Sequence, residues 1–145
     1  MIEHTPVYNI MTRKPVTVSV HDAFSFVRRI FEQMGFHHVP VTDNGKLVGI
    51  ISYTDYLRII EMLLLQKESG QDIEQRFNNL KVADVMTTEV VTILESETVE
   101  RAIEVFKTHN FHAAPVVDRQ GHLTGILSTN DLLGVLEQEF LRIAR

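Results

Sequence analysis

Gly49-Ile50-Ile51-Ser52-Tyr53-Thr54-Asp55 decides how this chain is read, because it returns as Gly125-Ile126-Leu127-Ser128-Thr129-Asn130-Asp131. Each copy is a glycine, a short apolar run that reads as a buried strand, and small polar residues ending in an aspartate. An apolar helical pattern follows at once, so Asp55 and Asp131 fall at strand-to-helix turns. A carboxylate there accepts from the unpaired N–H groups of the first helical turn. Capping alone accounts for either aspartate, but the surroundings of both are repeated as well.

Outward from these stretches the two halves stay in step. Val7-Tyr8-Asn9-Ile10-Met11-Thr12 matches Val82-Ala83-Asp84-Val85-Met86-Thr87, an offset of 86 − 11 = 75 residues. Val16-Thr17-Val18 then meets Val91-Thr92-Ile93, Phe31 meets Phe106, and Phe36-His37 meets Phe111-His112. Pro40-Val41 meets Pro115-Val116, and Asp43 meets Asp118. One inserted residue, taken as Gln120, brings Gly45, Leu47, Gly49, Ser52 and Asp55 onto Gly121, Leu123, Gly125, Ser128 and Asp131. Self-similarity at a fixed period marks a repeated supersecondary unit.

Local patterns predict the elements of that unit. Val16-Thr17-Val18 and Val90-Val91-Thr92-Ile93 are short β-prone stretches. Phe24, Val27, Ile30, Phe31 and Met34 recur at spacings of three and four, an amphipathic helix over 22–34; its counterpart spans 97–109. Phe36 to Val41 and Phe111 to Val117 read as strands, followed by turns at Asp43-Asn44-Gly45-Lys46 and Asp118-Arg119-Gln120-Gly121. The strands Leu47 to Ser52 and Leu123 to Ser128 come next, then helices over 56–66 and 132–144. The expected architecture is α+β: two βαββα repeats, each preceded by a helical turn, packed sheet to sheet with pseudo-twofold symmetry. The expected division is 1–65, a polar linker over 66–80 with a helical turn around Ile73 to Phe77, and 81–145.

Composition excludes several functions. The chain has 145 residues, a net charge of −5, 44% hydrophobic residues and no cysteine. The charge argues against phosphate-driven nucleic-acid binding, and the hydrophobic content against disorder. Without cysteine there is no disulfide, thiolate nucleophile or cysteine zinc site. The run Ile59 to Leu65 falls far short of the roughly 20 residues of a membrane span, and no signal peptide is visible at the N-terminus. A cytoplasmic protein with no membrane contact is expected. No phosphate-binding glycine loop and no nucleophile–base pair suggests an enzyme. His37-His38 and His109…His112 do not make a metal site. Alternation turns the first pair to opposite faces, and the second is split between a helix end and a strand.

Taken together, Met-Thr, Val-x-x, Phe-His-x-x-Pro-Val and Asp…Gly…Leu…Gly-Ile-x-Ser-x-x-Asp resemble the cystathionine-β-synthase (CBS) domain. Both repeats carry the pattern, so nearly the whole chain resembles a stand-alone tandem CBS pair. The resemblance implies a regulatory module that binds an adenosyl ligand: AMP, ADP, ATP or S-adenosylmethionine, with Mg²⁺ accompanying ATP. It also implies a homodimer built through helices, here those over 56–66 and 132–144. Their apolar residues exceed what one buried stripe needs.

A purine nucleotide needs an apolar slot, a carboxylate for the ribose and donors for phosphate. The resemblance gives Asp55 and Asp131 to the ribose hydroxyls, which an ionised carboxylate can accept in pairs. Ser52, Thr54, Ser128 and Asn130 stand beside them, at helix N-termini that favour anions. Val16, Thr17, Val91, Thr92, Ile50 and Ile126 are the expected walls of the base slot. Thr12 and Thr87 match family positions that bond ligand, or else punctuate a helix end. His37 and His112 match a position that faces phosphate, and His38 one held by arginine in some relatives; each also reads as a polar residue on a half-buried strand. The differences Thr54/Asn130, Tyr53/Thr129 and His38/Ala113 indicate non-equivalent sites. The expected mechanism is a ligand-dependent change in the relative orientation of the two domains, read by an effector protein. The alternative is a ligand-free dimerisation scaffold.

Overall fold

The computed structural model describes residues 2–66 and 72–144. The expected linker residues 67–71, Ser69-Gly70 among them, and the two terminal residues lie outside the described residues. The elements in chain order are β1 (Thr12–Arg13), β2 (Val18–Ser19), α1 (Phe24–Met34), β3 (His38–Asp43), β4 (Lys46–Ser52), α2 (Tyr53–Leu65) and α3 (Ile73–Asn79). They continue as α4 (Val82–Val85), β5 (Ile93–Leu94), α5 (Val99–His109), β6 (Ala113–Val117), β7 (Leu123–Ser128) and α6 (Thr129–Ile143). Short 3-10 turns at Ile2–His4 and Val7–Asn9 precede β1.

Two compact units result, and they divide the chain differently from the repeats. One is Val16–Val90; the other joins Met1–Pro15 to Val91–Arg145. Hence β1 pairs antiparallel with β7, with Thr12 opposite Ile126 and Arg13 opposite Gly125. In the Val16–Val90 unit the matching threonine, Thr87, exchanges backbone hydrogen bonds of 2.9 and 3.0 Å with Ile50 of β4. A second exchange sits at the start of each first helix. The N–H of Val99 donates to Thr5 and that of Val7 to Glu97, while Phe24 donates to Leu80 and Val82 to Asp22. Val7 and Val82 are fully buried by these contacts.

The Val16–Val90 unit holds β2 parallel to β3 and β3 antiparallel to β4. Its core joins Val18, Val39, Val41 and Ile51 of the sheet to Phe24, Val27 and Phe31 of α1 and Tyr56 of α2. Asn44 and Gly45 both adopt left-handed φ, 52° and 82°, the requirement of a two-residue hairpin turn. The other unit repeats this plan with β5 parallel to β6 and β6 antiparallel to β7. Its longer turn is closed by the Asp118 carboxylate, which accepts from the N–H groups of Gln120 and His122 at 2.9 Å each. Ile93, Ala102, Val105, Phe106, Val116 and Leu127 are its core.

Several expectations change. The first strands contain only two residues each, so Val16, Thr17, Val91 and Thr92 precede the ladders instead of joining them. Strands β3 and β6 begin at His38 and Ala113, which leaves His37 and His112 in bends before them. The first helices start at Phe24 and Val99. Asp22 is spent in the preceding turn, accepting from Ser19 at 2.8 Å, and the Thr98 hydroxyl accepts the Arg101 N–H. Met34 ends its helix 54% exposed, outside the buried stripe. The helical turn expected around Ile73 to Phe77 is the helix α3, and it packs on the core. Asp72 caps α3 by accepting from Gln75, and Phe77 lies 5.9 Å from the Phe24 ring, buried in the core.

Candidate functional site

Each glycine that opens the repeated motif is required by a close neighbour. A Cβ on Gly49 would lie 2.6 Å from Met86 Sδ and 3.0 Å from the Thr87 carbonyl oxygen. On Gly125 it would lie 2.5 Å from Met11 Sδ and 2.7 Å from the Thr12 carbonyl oxygen. The Met-Thr and glycine signatures are therefore two faces of one contact. A bulge precedes each glycine and re-aims the strand: pairing moves from Val41–Gly49 to Thr42–Leu47, and from Val116–Gly125 to Val117–Leu123.

The strand that leaves each glycine ends on the serine that caps the next helix. The Ser52 hydroxyl accepts the Asp55 N–H at 3.1 Å, and Ser128 accepts that of Asp131 at 3.2 Å. The first N–H of each helix is taken by a histidine carbonyl: Tyr53 donates to His37 at 2.8 Å and Thr129 to His112 at 2.9 Å. Both helix N-termini are thus held against the bend that carries the predicted phosphate histidine. His37 and His112 are themselves exposed. His38, half-buried, heads β3 opposite Ser52, where the other unit has Ala113 opposite Ser128.

The two aspartates are partnered differently. Asp131 Oδ2 accepts the Ser128 N–H at 2.9 Å, completing a reciprocal capping box, and its Oδ1 receives a long bond of 3.4 Å from the Thr12 hydroxyl. Asp55 forms no such box. Its Oδ1 accepts from Arg58 Nη1 at 3.1 Å, one helical turn on. Arg58 escaped the reading of the sequence, although an opposite charge three residues along a helix was a visible signal.

The remaining predicted residues sort by unit. Val16, Thr17, Ile50, Ser52, Thr54, Asp55, Thr87, His37 and His38 belong to one; Thr12, Val91, Thr92, Ile126, Ser128, Asn130, Asp131 and His112 belong to the other. The expected base-slot residues therefore come from both units: Val16, Thr17 and Ile50 from one, Val91, Thr92 and Ile126 from the other. Val16 packs on the first core and Val91 on the second, Ile50 and Ile126 are half-buried, and Thr54, Asn130, Thr87 and Thr12 are exposed. His109 stacks on Phe111 at 5.2 Å, and among the described residues no group of three His, Asp or Glu side chains is placed to hold a metal. No helix among the described residues is long and apolar enough to cross a membrane.

This chain belongs to the CBS domain family: the family model described as CBS domain matches residues 7–62 and 82–138. It is 28% identical over 131 residues to a CBS domain-containing protein of Dictyostelium discoideum, covering 90% of each chain. It is similar to CBSX2, solved in complex with AMP, with a TM-score of 0.74, 25% identity, and 97% of this chain and 98% of that one covered. It is similar too to the CBS domain pair of protein MJ0100, solved in complex with 5′-methylthioadenosine and S-adenosyl-L-methionine. There the TM-score is 0.72 with 26% identity, covering 93% of this chain and 98% of that one. The chain spans about half the length of some curated relatives. It covers 47% of a Methanocaldococcus jannaschii protein to which it is 26% identical over 133 residues, itself 90% of this chain.

Proposed function

We propose that this CBS pair is a non-catalytic regulatory module that binds an adenosyl ligand at Asp55 and at Asp131: AMP, ADP, ATP with Mg²⁺, or S-adenosylmethionine. The observation that carries the reading is the repeated turn itself. Each unit sets a carboxylate in the first turn of a helix, beside a serine hydroxyl, a threonine-bearing bridge or strand and a histidine bend. Those groups match the acceptors a ribose needs and the donors a phosphate needs. Further support comes from two similar CBS structures, one holding AMP and the other S-adenosyl-L-methionine. Binding would act by favouring one relative orientation of the domains, to the extent that the ligand's affinity differs between orientations. A thermal-shift screen across these ligands tests the reading: stability should rise by about 2.7 kcal/mol at one hundred times Kd. No shift with any of them at millimolar concentration refutes it.

A second reading, a ligand-free dimerisation scaffold, is favoured by α6. That helix has no buried residue, and Leu133, Phe140, Leu141 and Ile143 are all at least 60% exposed. We infer a homodimer through α2 and α6 under either reading, with an effector protein as a further partner. Sedimentation of the purified chain should give twice its 16.6 kDa mass.

A further inference from the structure

Asp55 and Asp131 are matched by an offset of 131 − 55 = 76 residues, which places Gly134 where the other helix has Arg58. Arg58 gives one N–H to Asp55 and is otherwise 72% exposed, so most of its five donors face solvent beside the carboxylate. Gly134 lies inside α6, where glycine weakens a helix relative to alanine, and a Cβ there would meet nothing within 4 Å. No packing demand explains this glycine. No cation contacts Asp131 among the described residues. Arg13, next to Thr12, lies instead 3.9 Å over the Tyr8 ring and donates to the Tyr8 carbonyl. Strand alternation explains that: Thr12 faces Asp131, so its neighbour in β1 points away.

We propose that Arg58 makes the Asp55 site selective for an adenosyl ligand bearing phosphate, while the Asp131 site discriminates less because Gly134 supplies no charge. The proposal rests on the adenosyl-binding reading. A guanidinium bonded to the ribose carboxylate leaves that acid acceptor-only and offers its remaining planar donors to a neighbouring phosphate. Titrating the Asp131→Ala chain calorimetrically with AMP and with adenosine reads the Asp55 site alone. Adding Arg58→Gln should weaken AMP by roughly tenfold or more, the loss of a hydrogen bond between charged groups, with adenosine unchanged. Arg58→Lys should recover part of the loss. In the otherwise unaltered chain, Gly134→Arg should raise the preference of the second site for AMP over adenosine. An unchanged AMP-to-adenosine ratio in Arg58→Gln, or equal losses for both ligands, overturns the proposal. Failure of AMP and adenosine alike to bind the unsubstituted chain overturns the adenosyl reading, and this inference with it.

Discussion

Gly49 and Gly125 sit at matching places in two similar sheets, yet each is pressed by a methionine from the opposite repeat. Met86 and Thr87 close on Gly49; Met11 and Thr12 close on Gly125. The clasps at Thr5–Val7 and Leu80–Val82 cross over in the same sense. The unit of sequence and the unit of folding are therefore not the same object. An isolated piece cut at residue 65 would leave Gly49 without its Met-Thr neighbour and the start of α1 without its clasp. The contact also tightens from one unit to the other. Around Gly49 the bridge is a single residue pair, and around Gly125 it is the two-residue strand β1.

The largest test of the comparison concerns the segment that only one unit acquires. Phe77 packs on Phe24, with the Arg28 guanidinium 4.7 Å over the Phe77 ring, and Arg28 also pairs with Glu74 at 2.6 Å. Phe77→Ala should cost about 3–5 kcal/mol in denaturant unfolding, the usual toll of truncating a buried aromatic. A cost near zero would return 72–80 to the status of a linker. Next come the glycines. Gly125→Ala and Gly49→Ala should each destabilise by about 1–3 kcal/mol through overpacking. Gly125 should be the worse, since its nearest backbone atom lies at 2.7 Å against 3.0 Å for Gly49. Adding Met86→Ala should relieve Gly49→Ala more fully than Met11→Ala relieves Gly125→Ala, because a carbonyl oxygen cannot move aside as a thioether can.

The aromatic content separates the units again. Tyr56 is buried against Phe24 and Phe31, and its hydroxyl lies 3.4 Å from Glu32. Its counterpart at the same offset of 76 residues is Leu132. Burial, aided by the Glu32 carboxylate, pushes the Tyr56 phenol up from 10.0 to about 12. A raised folded-state value means the neutral form is favoured by folding. The contribution is whole below pH 10 and disappears as pH rises through about 12. Tyr56→Phe should flatten the fall of stability across that window, read by denaturant unfolding at each pH. An equal fall in both chains would assign the alkaline loss elsewhere.

The repeat, the βαββα order of each copy and the serine-capped turns at Asp55 and Asp131 were legible because each has a local cause. Hydrophobic spacing, Asn-Gly turn chemistry and a serine three residues before an acid all act within a few residues of chain. The exchange of the Met-Thr segments was not legible. Nothing near Met11 or Met86 says which glycine it will meet, and both choices satisfy the pattern equally well. Phe77 was masked by its polar neighbours Arg76, Asn78 and Asn79, which give no amphipathic run long enough to read. The short first strands failed for a different reason. Val16-Thr17 and Val91-Thr92 have the right β propensity, but strand length is settled by how much partner backbone is available. The serine caps beside Asp55 and Asp131 follow from a local pattern, whereas Arg58 stands in one repeat alone and so left no mark in what the two share.

The smallest stability effects should come from the aspartates themselves, and their inequality is the most direct probe of the two sites. Asp131 accepts a backbone N–H within its own capping box, so Asp131→Ala should cost about 1 kcal/mol in the ligand-free protein. Asp55 holds only Arg58 by its carboxylate, an exposed ion pair whose loss is worth between about 0 and 1 kcal/mol. Asp131→Asn separates the capping role from the proposed ribose role, since an amide oxygen still accepts the Ser128 N–H but lacks the charge that would hold paired ribose hydroxyls. It should keep most of the stability lost in Asp131→Ala while still weakening adenosyl binding at that unit. Asp55→Ala should behave likewise, leaving stability almost untouched while removing the adenosyl binding proposed at the other unit. Calorimetric affinities unchanged in both alanine variants would reduce Asp131 to a helix cap and Asp55 to half of a surface ion pair, and the asymmetry between them would then be one of folding alone.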